Sequence, residues 1–184
     1  MPVFELGLTS KSDGSYAAAW FDDEARLWGD DRLSSADRLA AEWSPPALRL
    51  HRPGQGATPV LFNPNAVAVS KPIRDRLSEF RELEFLPVSI SGQAEFHILH
   101  VVNAIELPAG SQARIAPAPS GNIVEIHAFP EAFTPPQGFF RVLHPIGSAS
   151  RNAGRRTTKG VYMGPVGRTA IEQLAGRYLE AHRR

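Results

Sequence analysis

At 184 residues the chain suits one domain with a sizeable core, and its 42% apolar residues are an ordinary share for a soluble globular protein. Cysteine is absent, which excludes disulfide scaffolds, thiol catalysis and cysteine-held structural zinc. The net charge of +1 hides an asymmetry: residues 1–50 carry nine Asp/Glu against five Lys/Arg, a balance of −4, and residues 151–184 carry eight Lys/Arg against two Asp/Glu, a balance of +6. No run of about 18 apolar residues is present, so no membrane-spanning helix is expected. The opening MPVFELGLTSKSDG lacks a basic start followed by a long apolar stretch. A secretory signal is therefore not expected, and a cytoplasmic location is the default.

The first elements are short. VFELGL (3–8) and SYAAAWF (15–21) read as strands around the turn Lys11-Ser-Asp-Gly14. Ser34 to Trp43 reads as a helix capped by Ser34 or Ser35, with Leu33, Ala36, Leu39, Ala40 and Trp43 on one face and Pro45-Pro46 as its stop. ALRLH (47–51) alternates as a strand does, HRPGQGATP is a loop, and NAVAVS (65–70) is β-like. SKPIRDRLSEF then predicts a helix with Ser70 as N-cap and Pro72 in its first turn. Ile73, Leu77 and Phe80 share its buried face, and Arg74, Arg76, Glu79 and Arg81 are left mainly to solvent.

ELEFLPVSIS (82–91) and AEFHILHVVNAI (94–105) follow as strands joined at Gly92-Gln93, a pair suited to a type II′ hairpin near the middle of a sheet. Pro87 cannot donate a ladder bond, which predicts a bulge or an edge there. His97 and His100 resemble a metal-binding pair only if the segment were helical. In a strand, positions three apart face opposite sides, so the two rings cannot converge on one ion. His51, His127, His144 and His182 have no ligand-like companions in sequence, and neither a metal nor a cofactor is expected.

QARIAPA (112–118) and NIVEIHAF (122–129) are predicted to pair through Pro119-Ser120-Gly121. GFFRVLH (138–144) and GVYMG (160–164) continue the β pattern. A closing helix starts at Pro165, with Ala170, Ile171, Leu174, Ala175, Tyr178 and Leu179 as its stripe and Arg183 and Arg184 at its negative pole. Gly167 and Gly176 weaken that helix by roughly 1 kcal/mol each. The fold class expected is α+β, a mainly antiparallel sheet with a mid-chain and a C-terminal helix packed on it.

No phosphate-binding, dinucleotide-binding or nucleophile-elbow motif occurs. Ser70-Lys71 is explained by capping, and Ser120-Gly121-Asn122 by a turn. Two charged segments remain. RNAGRRTTKG (151–160) offers Arg151, Arg155, Arg156 and Lys159 to phosphates, but it lacks stacking aromatics. FDDEARLWGDD sets Trp20, Phe21 and Trp28 among Asp22, Asp23, Glu24, Asp30 and Asp31. Large aromatics inside a charged surface are typical interface anchors, although tryptophans also serve the core.

In their order and spacing, AVAVSKPIRDRL, EFLPVSI, FHILHVVNAIEL, GFFRV and VYMGPVGRTAIEQL resemble immunity protein family eleven of bacterial polymorphic toxin systems. The resemblance covers residues 65–184 of a single domain, 1–184; residues 1–64 match least and suit a partner-specific region. Phe96-His97 stands where the family commonly has a tyrosine pair, and His100 where it often has asparagine. The resemblance implies a binding protein rather than an enzyme, one that neutralises a cognate secreted toxin by occluding its active site. A nuclease toxin, with a basic substrate cleft, would suit the acidic stretch. Trp20, Asp22, Asp23, Glu24, Trp28, Asp30 and Asp31 are therefore the expected partner-binding residues. A nucleic-acid-binding or regulatory module using the basic loop 151–160 is the alternative.

Overall fold

A computed structural model describes residues 1–9, 19–20, 31–50, 60–63, 66–90, 95–118, 121–144, 157–158, 160–175 and 178–184. The fold is α+β, with two helices among the described residues on antiparallel-rich sheets. In place of one sheet, the described residues form three. Strands β2 (Ala19–Trp20), β3 (Ala47–Leu48), β4 (Val60–Asn63), β5 (Ala66–Ser70), β6 (Leu83–Ile90) and β7 (Phe96–Val101) form a six-stranded sheet in the order β2-β4-β5-β7-β6-β3. Strands β1 (Phe4–Leu8), β8 (Ala104–Glu106), β11 (Phe139–Leu143), β12 (Tyr162–Met163) and β13 (Leu179–Arg183) form a second in the order β13-β1-β12-β11-β8. Strands β9 (Gln112–Ala118) and β10 (Gly121–Ala128) make a separate antiparallel pair.

β7 is buried along its whole length because both faces of the central sheet are covered. On one side, Leu61, Ala68, Leu86, Val88, Ile90, Phe96 and Ile98 meet Leu33, Leu39 and Leu48 of the N-terminal region. On the other, Val69, Leu83, Leu99 and Val101 form the main core with helices α1 (Lys71–Leu77) and α2 (Pro165–Ala175) and with Phe4, Leu8, Phe139 and Met163 of the second sheet. The second sheet's far face closes on Ile126 of β10 and on Phe129 and Phe133.

Ile73, Leu77 and Phe80 are buried together, as their spacing predicts. Ser70 occupies the N-cap position of α1, but its hydroxyl makes no capping bond. The Lys71 N–H instead reaches the Glu95 carbonyl at 3.2 Å, so a neighbouring backbone does part of that work. β6 and β7 pair antiparallel, with Val88 opposite Phe96. That is one residue out of the register a two-residue Gly92-Gln93 turn would set; the turn itself, 91–94, lies outside the described residues. The predicted strand 94–105 also ends early, and Ala104–Glu106 crosses to the second sheet to pair with β11.

Pro87 behaves as an edge residue. The Ser89 N–H donates to Pro46 O on the outer, β3 side of β6. Residues two apart aim their backbone groups the same way, so the missing N–H of Pro87 falls on that side too. The outward Pro87 carbonyl accepts a bond from Trp43 Nε1 at 2.8 Å.

Two predicted helices are corrected. Residues 34–43 form no α-helix: a 3-10 helix spans Asp31–Ser34, and a turn follows at 40–42. The closing helix ends at Ala175, and 179–183 is strand β13, paired antiparallel along β1 from Leu8↔Leu179 to Phe4↔Arg183. Arg183 and Arg184 therefore sit at no helix end. The Arg184 guanidinium pairs with Glu5 instead. The start of α2 is held by a loop: Val166 and Gly167 N–H groups both donate to Gln137 O, at 3.1 and 3.0 Å. A Cβ on Gly164 would lie 1.9 Å from Pro136 O, so glycine is required for this close approach.

Candidate functional site

The acidic, aromatic stretch is fixed at its two ends. Upstream, the Trp20 backbone pairs with Phe62 in β2, an edge strand of the six-stranded sheet. Downstream, Asp31 opens the 3-10 helix, and Leu33 enters the core two residues later. Asp22, Asp23, Glu24, Trp28 and Asp30 lie outside the described residues, as do the side chains of Trp20 and Asp31.

The segment after the stretch is anchored by buried polar side chains that sequence reading passed over. The Glu84 carboxylate of β6 accepts the Leu39 N–H at 2.7 Å and the Ala40 N–H at 3.1 Å. His100 of β7, fully buried, contacts Asp37 O at 2.9 Å through Nε2. Because a carbonyl only accepts, Nε2 carries the proton and donates, which leaves Nδ1 bare. Arg141 of β11 donates from a terminal nitrogen to Leu33 O at 3.0 Å. Three strands thus reach four backbone groups within residues 33–40. The Ser35 hydroxyl completes the arrangement locally, donating to Arg32 O at 2.8 Å and accepting the Asp37 N–H at 3.2 Å.

These bonds explain why 34–43 forms no α-helix. A helix would turn the Leu39 and Ala40 N–H groups onto carbonyls four residues back. They would then be unavailable to the buried carboxylate of Glu84, and an unpaired buried charge is costly. Burial also sets the electrostatics. Desolvation, aided by the nearby Arg141 charge, holds the His100 imidazole down at about 4, against weaker upward pulls from Asp37 and Glu84. Desolvation likewise pushes the Arg141 guanidinium down to about 10. His100 Nδ1 and Arg141 Nε are buried without a hydrogen-bond partner among the described residues, consistent with a site that disfavours extra charge.

His97 lies on the opposite face of β7, as alternation requires. Its Nε2 sits 3.1 Å from the Arg74 guanidinium of α1 and must accept from it. Burial and the Arg74 charge lower its pKa. The two histidines therefore serve two different packing layers and share no ligand. Among the described residues no three His, Asp or Glu side chains cluster as a metal site would need. No helix among them is long and apolar enough to cross a membrane.

Of the basic loop, Arg151, Arg155, Arg156 and Lys159 lie outside the described residues. Its last part is tied to β11: Thr157 pairs with Leu143, and the Thr158 N–H donates to Val142 O at 2.7 Å. No protein-family model matches the chain, and no curated protein matches it significantly.

Proposed function

We propose that this chain is an immunity protein of the cytoplasm that binds a cognate secreted toxin, a nuclease being the best fit, and blocks its active site. It acts by surface complementarity and makes or breaks no bond of its own. The observation that supports this reading is the anchoring of residues 33–40 by Glu84, His100 and Arg141, directly downstream of the acidic stretch. A segment held at both ends loses less conformational entropy on binding than a free one. Its carboxylates, Asp22, Asp23, Glu24, Asp30 and Asp31, would stand in for substrate phosphates in a basic cleft and accelerate association. Trp20 and Trp28 would supply the large contact areas that dominate interface energetics.

The test is co-expression with the large secreted protein of the neighbouring reading frame. The D22K/D23K/E24K triple variant is expected to associate more slowly with that toxin and to protect cells less well. Undiminished protection would remove these residues from the interface. The alternative, a nucleic-acid module on Arg151, Arg155, Arg156 and Lys159, requires steeply salt-dependent retention of DNA or RNA. Absence of a gel shift at low salt would dismiss it.

A further inference from the structure

β13 is an outer strand of the five-stranded sheet, and β1 is its neighbour among the described residues. The ladder fixes which of its backbone groups are used. The Arg184 N–H donates to Val3 O at 2.9 Å, and the Thr9 N–H to Tyr178 O at 3.1 Å. Even-numbered residues thus turn their N–H and C=O groups toward β1, and Leu179, Ala181 and Arg183 turn theirs outward. This row is regular: the five consecutive pairs with β1 contain no register shift, and the strand contains no proline or lysine. Proline, lysine and bulges are among the guards on edges not meant to pair; β13 has none of these, and of the charged guards it carries Glu180 and Arg183. β9, exposed along most of its length, does carry one, with Pro117 in the strand and a register shift in its partner between Ile126 and Ala128.

The side chains of β13 are also self-complementary. Glu180 and His182 share the sheet face opposite the core, 36% and 48% exposed, and meet each other at 3.1 Å. The His182 ring lies back over Gly7, where a Cβ would come within 2.2 Å of it, so it does not cap the outward edge. An antiparallel partner centred on Ala181 would bring Glu180 opposite His182 of the second copy, and His182 opposite its Glu180. Both would be non-hydrogen-bonded positions, where side chains approach most closely.

We propose that β13 is a homodimerisation edge, where a second copy of this chain adds its own β13 antiparallel across a two-fold axis through Ala181. The two five-stranded sheets then join edge to edge, and the Glu180–His182 pairs repeat by symmetry as an isologous contact requires. β13 belongs to a different sheet from β2, which leads into the acidic stretch, so substitutions in the two segments test dimerisation and toxin binding separately.

Sedimentation velocity of the full chain over rising concentration tests it. The mass is expected to climb from the 20.1 kDa of one chain toward double that value. Ala181→Pro removes an outward N–H at the axis without touching a bond to β1, and it should leave a folded monomer. Should that variant fail to fold, E180K serves instead. It removes the carboxylate that meets His182 at both symmetric pairs and should weaken the dimer roughly tenfold, with the E180K/H182E swap restoring an oppositely charged pair. A monomer at every concentration overturns the proposal. So does a dimer indifferent to A181P, or one that E180K leaves unchanged.

Discussion

Burial of His100 makes the stability of this protein fall with acidity in a defined window. Its pKa is about 4 in the folded chain, against 6.5 for the free side chain. Between those values the unfolded chain binds the extra proton and the folded chain does not. Stability is therefore fully present above about pH 6.5 and is lost as pH falls toward 4. The gap corresponds to about 3 kcal/mol, a large part of the margin of a typical domain. The perturbation is His100→Gln, whose amide can still donate to Asp37 O but does not titrate. Urea unfolding of both proteins at several pH values is the assay. Comparing them cancels the titration of carboxylates and of His97, which both proteins share. The wild type is expected to lose about 3 kcal/mol more than the variant between roughly pH 7 and pH 4. Parallel stability curves would refute the argument that a neutral, desolvated imidazole anchors residue 37.

Other perturbations probe neighbouring contacts. Glu84→Ala strands two backbone donors and should cost about 3 kcal/mol, with hydrogen exchange at the Leu39 and Ala40 amides accelerating more than at β7. If those two amides keep their protection, the carboxylate is not their acceptor. Gly164→Ala forces a methyl against the Pro136 carbonyl and should destabilise by about 3 kcal/mol or more, seen as a lowered thermal midpoint. A neutral outcome would mean that the loop over α2 yields freely.

The hairpin of β6 and β7 and the helix at 71–77 were legible because their signals are local. Alternation, a proline in the first turn, and apolar spacings of four and three each act within a few residues. The same locality decided the histidines: once FHILHV is a strand, His97 and His100 must part. The anchor was not legible. Glu84 and Arg141 look like the solvated charges of alternating strands, and only the returning N-terminal segment gives them backbone partners, 44 to 108 residues away in sequence.

Taken alone, the sequence determined the α+β class, the central strands and the opposite faces of His97 and His100, because hydrophobic periodicity and turn chemistry operate over neighbouring residues. Tertiary structure decided the division into separate sheets and the states of 34–43 and 179–183. Both segments carry apolar spacings that a helix can use. Distant groups outcompete that preference: buried Glu84, His100 and Arg141 claim the backbone of 33–40, and the open edge of β1 offers 179–183 a full ladder of hydrogen bonds. A buried donor or acceptor left unpaired costs more than the fraction of a kcal/mol by which one local conformation is preferred, roughly 1–3 against under 1 kcal/mol.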